Sequence, residues 1–186
     1  MIDPRTTGAT TRFLLPHPIA GLYARVQAVH EPSLRYGYYL RLAEGVFKVL
    51  ALVNFADAVA RGAPDGRVRK WLKSMERPSM GKLLALNLST IKYLNAHGGP
   101  FIAEAAALLD EDWDDLTALI PKQRNYYAHR LLAVSDAEAR ERLPSLKAPI
   151  HRLLNRVQFF QNYLFGVSRR TERAGRRDAT AAWRSW

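Results

Sequence analysis

SLRYGYYLRLAEGVFKVLALVNFADAVAR, residues 33–61, decides the fold class. Within it Leu42, Val46, Val49, Val53, Ala56 and Ala60 recur at alternating spacings of four and three. That is the period of a helix, not the two-residue alternation of a strand. A second stripe, Leu40, Ala43, Phe47 and Leu50, widens the apolar surface and predicts a helix placed centrally in a bundle. Gly62 stops it, since glycine readily takes the left-handed conformation that closes a helix.

Working outward, residues 1–12 lack periodicity and read as a loose arm. Downstream, 62–66 is a loop and 67–77 a short basic helix or turn. Pro78 is expected in the first turn of the next helix, where its missing N–H is not needed. Leu84, Leu88 and Ile91 carry that helix to about His97, and Gly98-Gly99-Pro100 ends it. A short helix over 101–109 leads to the acidic cluster at 110–115, whose carboxylates suit a helix start. The following helix carries Leu116, Leu119 and Ile120, should kink or break locally at Pro121, and resumes through Tyr127, Leu131 and Val134. Ser135 caps a segment that Pro144 ends, and Pro149 opens a last long helix with Ile150, Leu153, Val157, Phe160 and Leu164 on one face. With no strand alternation and no repeat, the expectation is all-α: an up-and-down antiparallel bundle of four to six helices. One domain is expected over 13–166, followed by a basic tail or linker over 167–186 that lacks an apolar face except for Trp183 and Trp186.

Composition narrows the function classes. A chain of 186 residues, 48% hydrophobic and 24% charged, can bury one core and is globular in character. Its most apolar stretch, 46–60, is interrupted by Lys48, Asn54 and Asp57 and is too short to cross a bilayer, so no membrane partner is expected. There is no basic-then-apolar leader, and there is no cysteine, which removes disulfide frameworks and thiolate metal sites and fits the cytoplasm. The metalloprotease, P-loop, dinucleotide and nucleophile-elbow motifs are missing, and residues 110–115 lack the alternation and glycine of a calcium loop. No metal or other cofactor is expected. The formal charge of +11 favours a polyanionic partner, and nucleic acid is the commonest one. Charge is also segregated: 61–77 and 169–184 are basic, while 110–115 is acidic.

The chemistry-bearing stretch is Arg124-Asn125-Tyr126-Tyr127-Ala128-His129. A permanent cation, an amide and an acid/base residue within one and a half helical turns can grip a phosphate and move a proton. Two other Arg-x4-His pairs exist. Arg12 to His17 is broken by Pro16, and Arg25 to His30 lacks the Asn and runs into Glu31-Pro32. At about 100° per residue, Leu116, Ile120, Tyr127, Leu131 and Val134 define the buried side, with Arg124 at its edge and Asn125 and His129 turned away. A histidine turned from its own core faces water or another subunit. Trp71 and Trp113 read as core or partner anchors, and His17, His30, His97 and His151 have no partner at ligand spacing.

The segment resembles the R-x4-6-H signature of the HEPN superfamily, helical domains of which many are metal-independent ribonucleases. Glu76-Arg77-Pro78-Ser79-Met80-Gly81, ahead of an amphipathic helix, is similar to a segment of bacterial N-terminal HEPN-like domains. The resemblance implies an active site of Arg124, Asn125 and His129, with Glu44 and Lys48 in support. By themselves those two are an ordinary i, i+4 helix ion pair. Lys122, Tyr126 and Arg130 are the expected RNA contacts. Transesterification needs a base and an acid, and one chain offers one motif histidine, so a homodimer is expected. The implied role is an endoribonuclease leaving 2′,3′-cyclic phosphate and 5′-OH ends, as a bacterial toxin or anti-phage effector restrained by a regulatory partner or fused sensor. The alternative implied is a non-catalytic HEPN-like module that dimerises or docks a signalling or NTPase partner.

Overall fold

The computed structural model of the chain describes residues 15–108, 110–128 and 134–163, with backbone alone at 111 and 112. The expected arm at 1–12, Arg12, Leu109, His129, Arg130, Leu131, Leu164 and the tail at 167–186 lie outside the described residues. Among those described, the protein is all-α, with no strand. In chain order the helices are α1 (His17–Ala28), α2 (Pro32–Ala60), α3 (Asp65–Glu76), α4 (Met80–Asn95), α5 (Ala103–Ala106), α6 (Glu111–Ala128) and α7 (Asp136–Arg156), then a 3-10 turn, Gln158–Asn162. These seven exceed the four to six expected because of α1, which the sequence reading left unassigned.

α2 is the axis of the bundle and packs most extensively on α4, α7 and α1. Its second stripe is the core one: Leu40, Ala43, Phe47 and Leu50 are buried. On the first, Leu42 and Val46 are buried, Val49 and Val53 are half-buried, and Ala56 and Ala60 face solvent. The chain reverses direction from one long helix to the next, yet α4 and α7 run parallel to α2. Phe47 and Asn54 meet Asn87 while Arg61 reaches His97, which aligns α2 with α4. Ser33 meets Asp136 and Tyr39 meets His151, which aligns α2 with α7. α6 opposes both, with Tyr36 beside Gln123, Phe47 beside Trp113, and Asp110 beside Arg156. α2 therefore lies between two helices parallel to it, α4 and α7, while α3 and α6 act as the returns.

A buried polar pair fixes the register of α2 on α4. Asn54 donates through Nδ2 to Asn87 Oδ1 at 3.2 Å, and Asn87 Nδ2 donates to the Phe47 carbonyl at 3.0 Å. Sliding the helices by a turn would strand both amides away from water, at about 1–3 kcal/mol each.

Several boundaries depart from expectation for identifiable reasons. Pro78 precedes the cap and does not sit in the first turn of α4, because the Ser79 hydroxyl accepts from the Lys82 N–H and takes the cap position. α6 runs from Glu111 to Ala128 through Pro121, with Asp110 accepting from the Trp113 N–H at its start. Ser135 does cap the next helix, but that helix continues through both Pro144 and Pro149 to Arg156. Each proline removes one hydrogen bond and strains the turn before it. The buried face of Leu146, Pro149, Ile150, Leu153 and Leu154 holds α7 together across them. Trp71 and Trp113 are core anchors, each 4% exposed.

Candidate active site at the C-terminal turn of α6

Three elements meet at one end of the bundle: the last described turn of α6, and the N-termini of α2 and α7. The junction is pinned by the Ser33 N–H, an orphan donor of the first turn of α2, which is accepted at 3.1 Å by Asp136 Oδ1 at the start of α7. Hydrogen bonding from Ser33 holds the Asp136 carboxyl below its ordinary range. Ser135 in turn accepts from the Glu138 N–H.

On this frame α6 sorts its side chains by helical angle. Gln123 and Tyr127, one turn apart, face α2. Gln123 Oε1 accepts from the buried Tyr36 hydroxyl at 2.9 Å, and the Tyr127 ring lies 5.8 Å from that of Tyr36. Burial raises the Tyr36 hydroxyl above its usual range, with Arg142 pulling the other way, so it stays a neutral donor. Tyr126 faces α7. Its hydroxyl donates to Glu138, and the Arg142 guanidinium covers its ring at 3.8 Å from the centroid. Glu138 and Arg142 are themselves paired at 3.6 Å.

That leaves Lys122 and Asn125 exposed and Arg124 half-buried. Asn125 thus points away from the side of α6 that the two tyrosines and Gln123 anchor, and Arg124 lies at the edge of that side, as the helical period predicts. A cation and an amide side by side on a pinned helix can grip a phosphate and orient a neighbouring group. His129, one turn past Asn125 in the sequence, and Arg130 lie outside the described residues.

The structure does not bring Glu44 and Lys48 to this end. Tyr36 is level with Gln123 and Phe47 with Trp113. Glu44, eight residues along α2 from Tyr36, is therefore displaced by ~12 Å at 1.5 Å per residue. Ion pairs among the described residues include Asp57 with Arg61 and Asp110 with Arg156. Glu44 and Lys48 form none with each other. Tyr126, expected as an RNA contact, has its hydroxyl and one ring face engaged within the chain. Tyr127 packs on α2 yet stays 37% exposed.

Gln123, Glu138 and Arg142 support this turn and were not read from the sequence. Ser135 to Glu138 has the spacing of a capping box and Glu138 to Arg142 that of a helix pair, so the signals existed. Neither indicates that Tyr126 is the third member. No cluster of three or more metal-ligating side chains occurs among the described residues. No helix among them is long and apolar enough to cross a membrane. Comparison with protein-family models, with curated proteins and with solved structures finds no match to this chain.

Proposed function

We propose that the chain is a metal-independent endoribonuclease of HEPN type, acting as a symmetric dimer in which each copy supplies Arg124, Asn125 and His129. The observation that carries the reading is the half-buried Arg124 beside the exposed Asn125, on a turn pinned to its neighbours by Gln123, Tyr126 and Tyr127. A phosphate-gripping group is useful only if it keeps its place while charge develops on the phosphorus oxygens. The net charge of +11 adds the attraction for a polyanion.

In this mechanism His129 of one copy takes the proton from a ribose 2′-OH, and the 2′-oxygen attacks the adjacent phosphorus. Arg124 offsets the negative charge of the five-coordinate phosphorane, and Asn125 orients the histidine or the phosphate. The P–O5′ bond breaks as His129 of the second copy gives its proton to the leaving oxygen. The products are a 2′,3′-cyclic phosphate and a 5′-OH end, and the two histidines have exchanged protonation states. The biological setting that fits such an activity is a bacterial toxin or anti-phage effector held in check by a partner or fused sensor.

A second reading, a non-catalytic docking module, draws on the apolar surface at the same end, where Leu34 is 51% exposed near the half-exposed Tyr127. Incubation of the pure chain with RNA in excess EDTA separates the two. The nuclease reading expects cleavage that His129→Ala abolishes while helical circular dichroism is kept, with His30→Ala fully active. Equal cleavage by folded His129→Ala overturns the site, and no cleavage by the wild type leaves the docking reading.

A further inference from the structure

The strongest unassigned feature is α3. Between Asp65 and Lys82 the chain carries six cations, Arg67, Arg69, Lys70, Lys73, Arg77 and Lys82, against two carboxylates, Asp65 and Glu76. The helix is attached by one face. Trp71 donates through Nε1 to Ser89 Oγ at 2.9 Å and sets its ring edge-on to Phe55 and Tyr93, with Val68 and Met75 half-buried beside it. Directly opposite Trp71 by helical angle lie Arg69 and Lys73, with Lys70 about 100° from Trp71 on the adjoining flank, all exposed. No acidic side chain forms an ion pair with these three among the described residues. Arg67 flanks them, with its guanidinium 5.1 Å from the centre of the Tyr93 ring, and that ring stacks in turn on His97 at 4.0 Å. Lys82 closes the patch from α4, with Nζ donating to the Arg77 carbonyl.

Like charges three and four positions apart, here Arg67 with Lys70, Lys70 with Lys73 and Arg69 with Lys73, each destabilise a helix by a few tenths of a kcal/mol. No ion pair among the described residues offsets that repulsion at Arg69, Lys70 or Lys73. A bound polyanion would.

We infer that the outer face of α3, centred on Arg69, Lys70 and Lys73, is a docking surface for the phosphate backbone of RNA, separate from the α6 turn. A membrane surface does not fit, because a helix that lies in a bilayer interface must insert its apolar face, and that of α3 is committed to the core through Trp71. An acidic protein fits poorly: the face has no aromatic anchor of the kind that centres a protein interface, only Leu72 at its edge. Phosphates need nothing more than cations at helical spacing and a stacked arginine. The surface sits far from the α6 turn, since Phe55, against which Trp71 packs, is nineteen residues along α2 from Tyr36, or ~28 Å. RNA gripped at α3 would be held at one end of the bundle and presented to the other. The choice of RNA over DNA rests on the proposed nuclease reading, while the phosphate site does not.

The test uses the full chain with His129→Ala to prevent cleavage, and a fluorescein-labelled 20-nucleotide single-stranded RNA. Anisotropy titrations across a range of salt concentrations compare two triple variants: Arg69→Gln, Lys70→Gln, Lys73→Gln on α3, and Arg25→Gln, Arg140→Gln, Lys147→Gln elsewhere. Glutamine keeps helix propensity, so both should fold. The α3 triple should weaken binding by more than about 10-fold near 0.15 M salt and reduce the slope of log K against log salt by about 2, since each lost contact to a single strand removes about 0.7. The control triple should change affinity by less than about 3-fold. Equal losses in the two triples, or no loss in the α3 triple, overturn the surface. Displacement of the RNA by polyglutamate at equal charge overturns its specificity for phosphate, and tighter binding of the same sequence as DNA overturns the choice of RNA. Cleavage is scored separately with His129 intact. A chain that cuts nothing but loses binding in the α3 triple retains the surface and sinks the nuclease, and the reverse result does the opposite.

Discussion

The hydroxyl of Tyr127 stands over Gly37: a Cβ added to Gly37 would lie 3.0 Å from the tyrosine oxygen and 3.4 Å from the carbon that bears it. Glycine in mid-helix costs about 0.5–1 kcal/mol relative to alanine. The hydroxyl end of Tyr127 therefore favours a glycine inside α2, and the contact couples the axis of the bundle to the turn that carries Arg124 and Asn125.

Substituting Gly37→Ala should consequently have different effects in two backgrounds. In the wild type the added methyl displaces Tyr127 and cancels the propensity gain. In Tyr127→Phe the oxygen is gone, and the same substitution should be more favourable by about 0.5–1 kcal/mol. Thermal melts of the four proteins of the cycle measure the coupling, and additive changes would show that the contact is slack.

The buried amides make a second case. Asn87→Leu leaves Asn54 without its acceptor in a dry interface, a loss of about 2–3 kcal/mol, while Asn54→Leu with Asn87→Leu removes both orphaned groups together. Denaturant unfolding should find the double variant no less stable than the single one, with its helix register less well defined. A double variant that is the least stable of the set would mean that packing volume, and not hydrogen bonding, sets the requirement for asparagine.

A pH effect follows from His151. Burial, with the Lys147 cation adding to it, lowers its pKa below the usual histidine value, and its Nε2 is buried without a hydrogen-bond partner among the described residues. The Tyr39 ring of α2 lies 6.2 Å from it, with a hydroxyl raised by burial and so neutral. The folded state thus binds the proton less readily than the unfolded chain. Its contribution to stability is complete above the unfolded value near 6.5 and is lost as pH falls through the lower folded value. The melting temperature should drop between pH 7.5 and 5.5, and His151→Phe should flatten that drop. The carboxyls of Asp110 and Asp136, both held below their normal range, lose their contributions only at lower pH.

Much of this was legible in the chain and some was not. The period of residues 33–61 announces α2 because apolar spacing is a local property. α1 carries the same signal, with Ile19, Tyr23 and Val26 at spacings of four and three, but Pro16 and Pro18 mask it. α7 passes through two prolines because tertiary burial outweighs a local rule, which only the partner helices reveal. The outward turn of Asn125, with Arg124 at the edge of the buried side, follows from angle alone. The capture of Tyr126 by Glu138 and Arg142, and the ~12 Å offset of Glu44, depend on how α2, α6 and α7 are set against one another. Spacing within one helix does not carry that information.

That offset separates the residues of the proposed site. Arg124→Ala and Asn125→Ala should each reduce RNA cleavage, the arginine by about 10²–10³-fold as for loss of one group stabilising transition-state charge, with unchanged melting temperature. Glu44→Ala and Lys48→Ala should stay within about 3-fold of wild type. A larger loss at Glu44 in a folded protein would require the RNA, or a second copy, to reach along α2.

The pin between Ser33 and Asp136 spans 103 positions. During synthesis, at roughly 5–20 residues per second, α2 leaves the ribosome many seconds before α7 exists to lie beside it. The groove of Tyr36, Tyr39 and Phe47 that α6 and α7 later fill is meanwhile open on the nascent chain. A polypeptide released early, short of residue 101, would keep α1 to α4 and an uncovered aromatic trough, the kind of surface that chaperones bind and proteases clear.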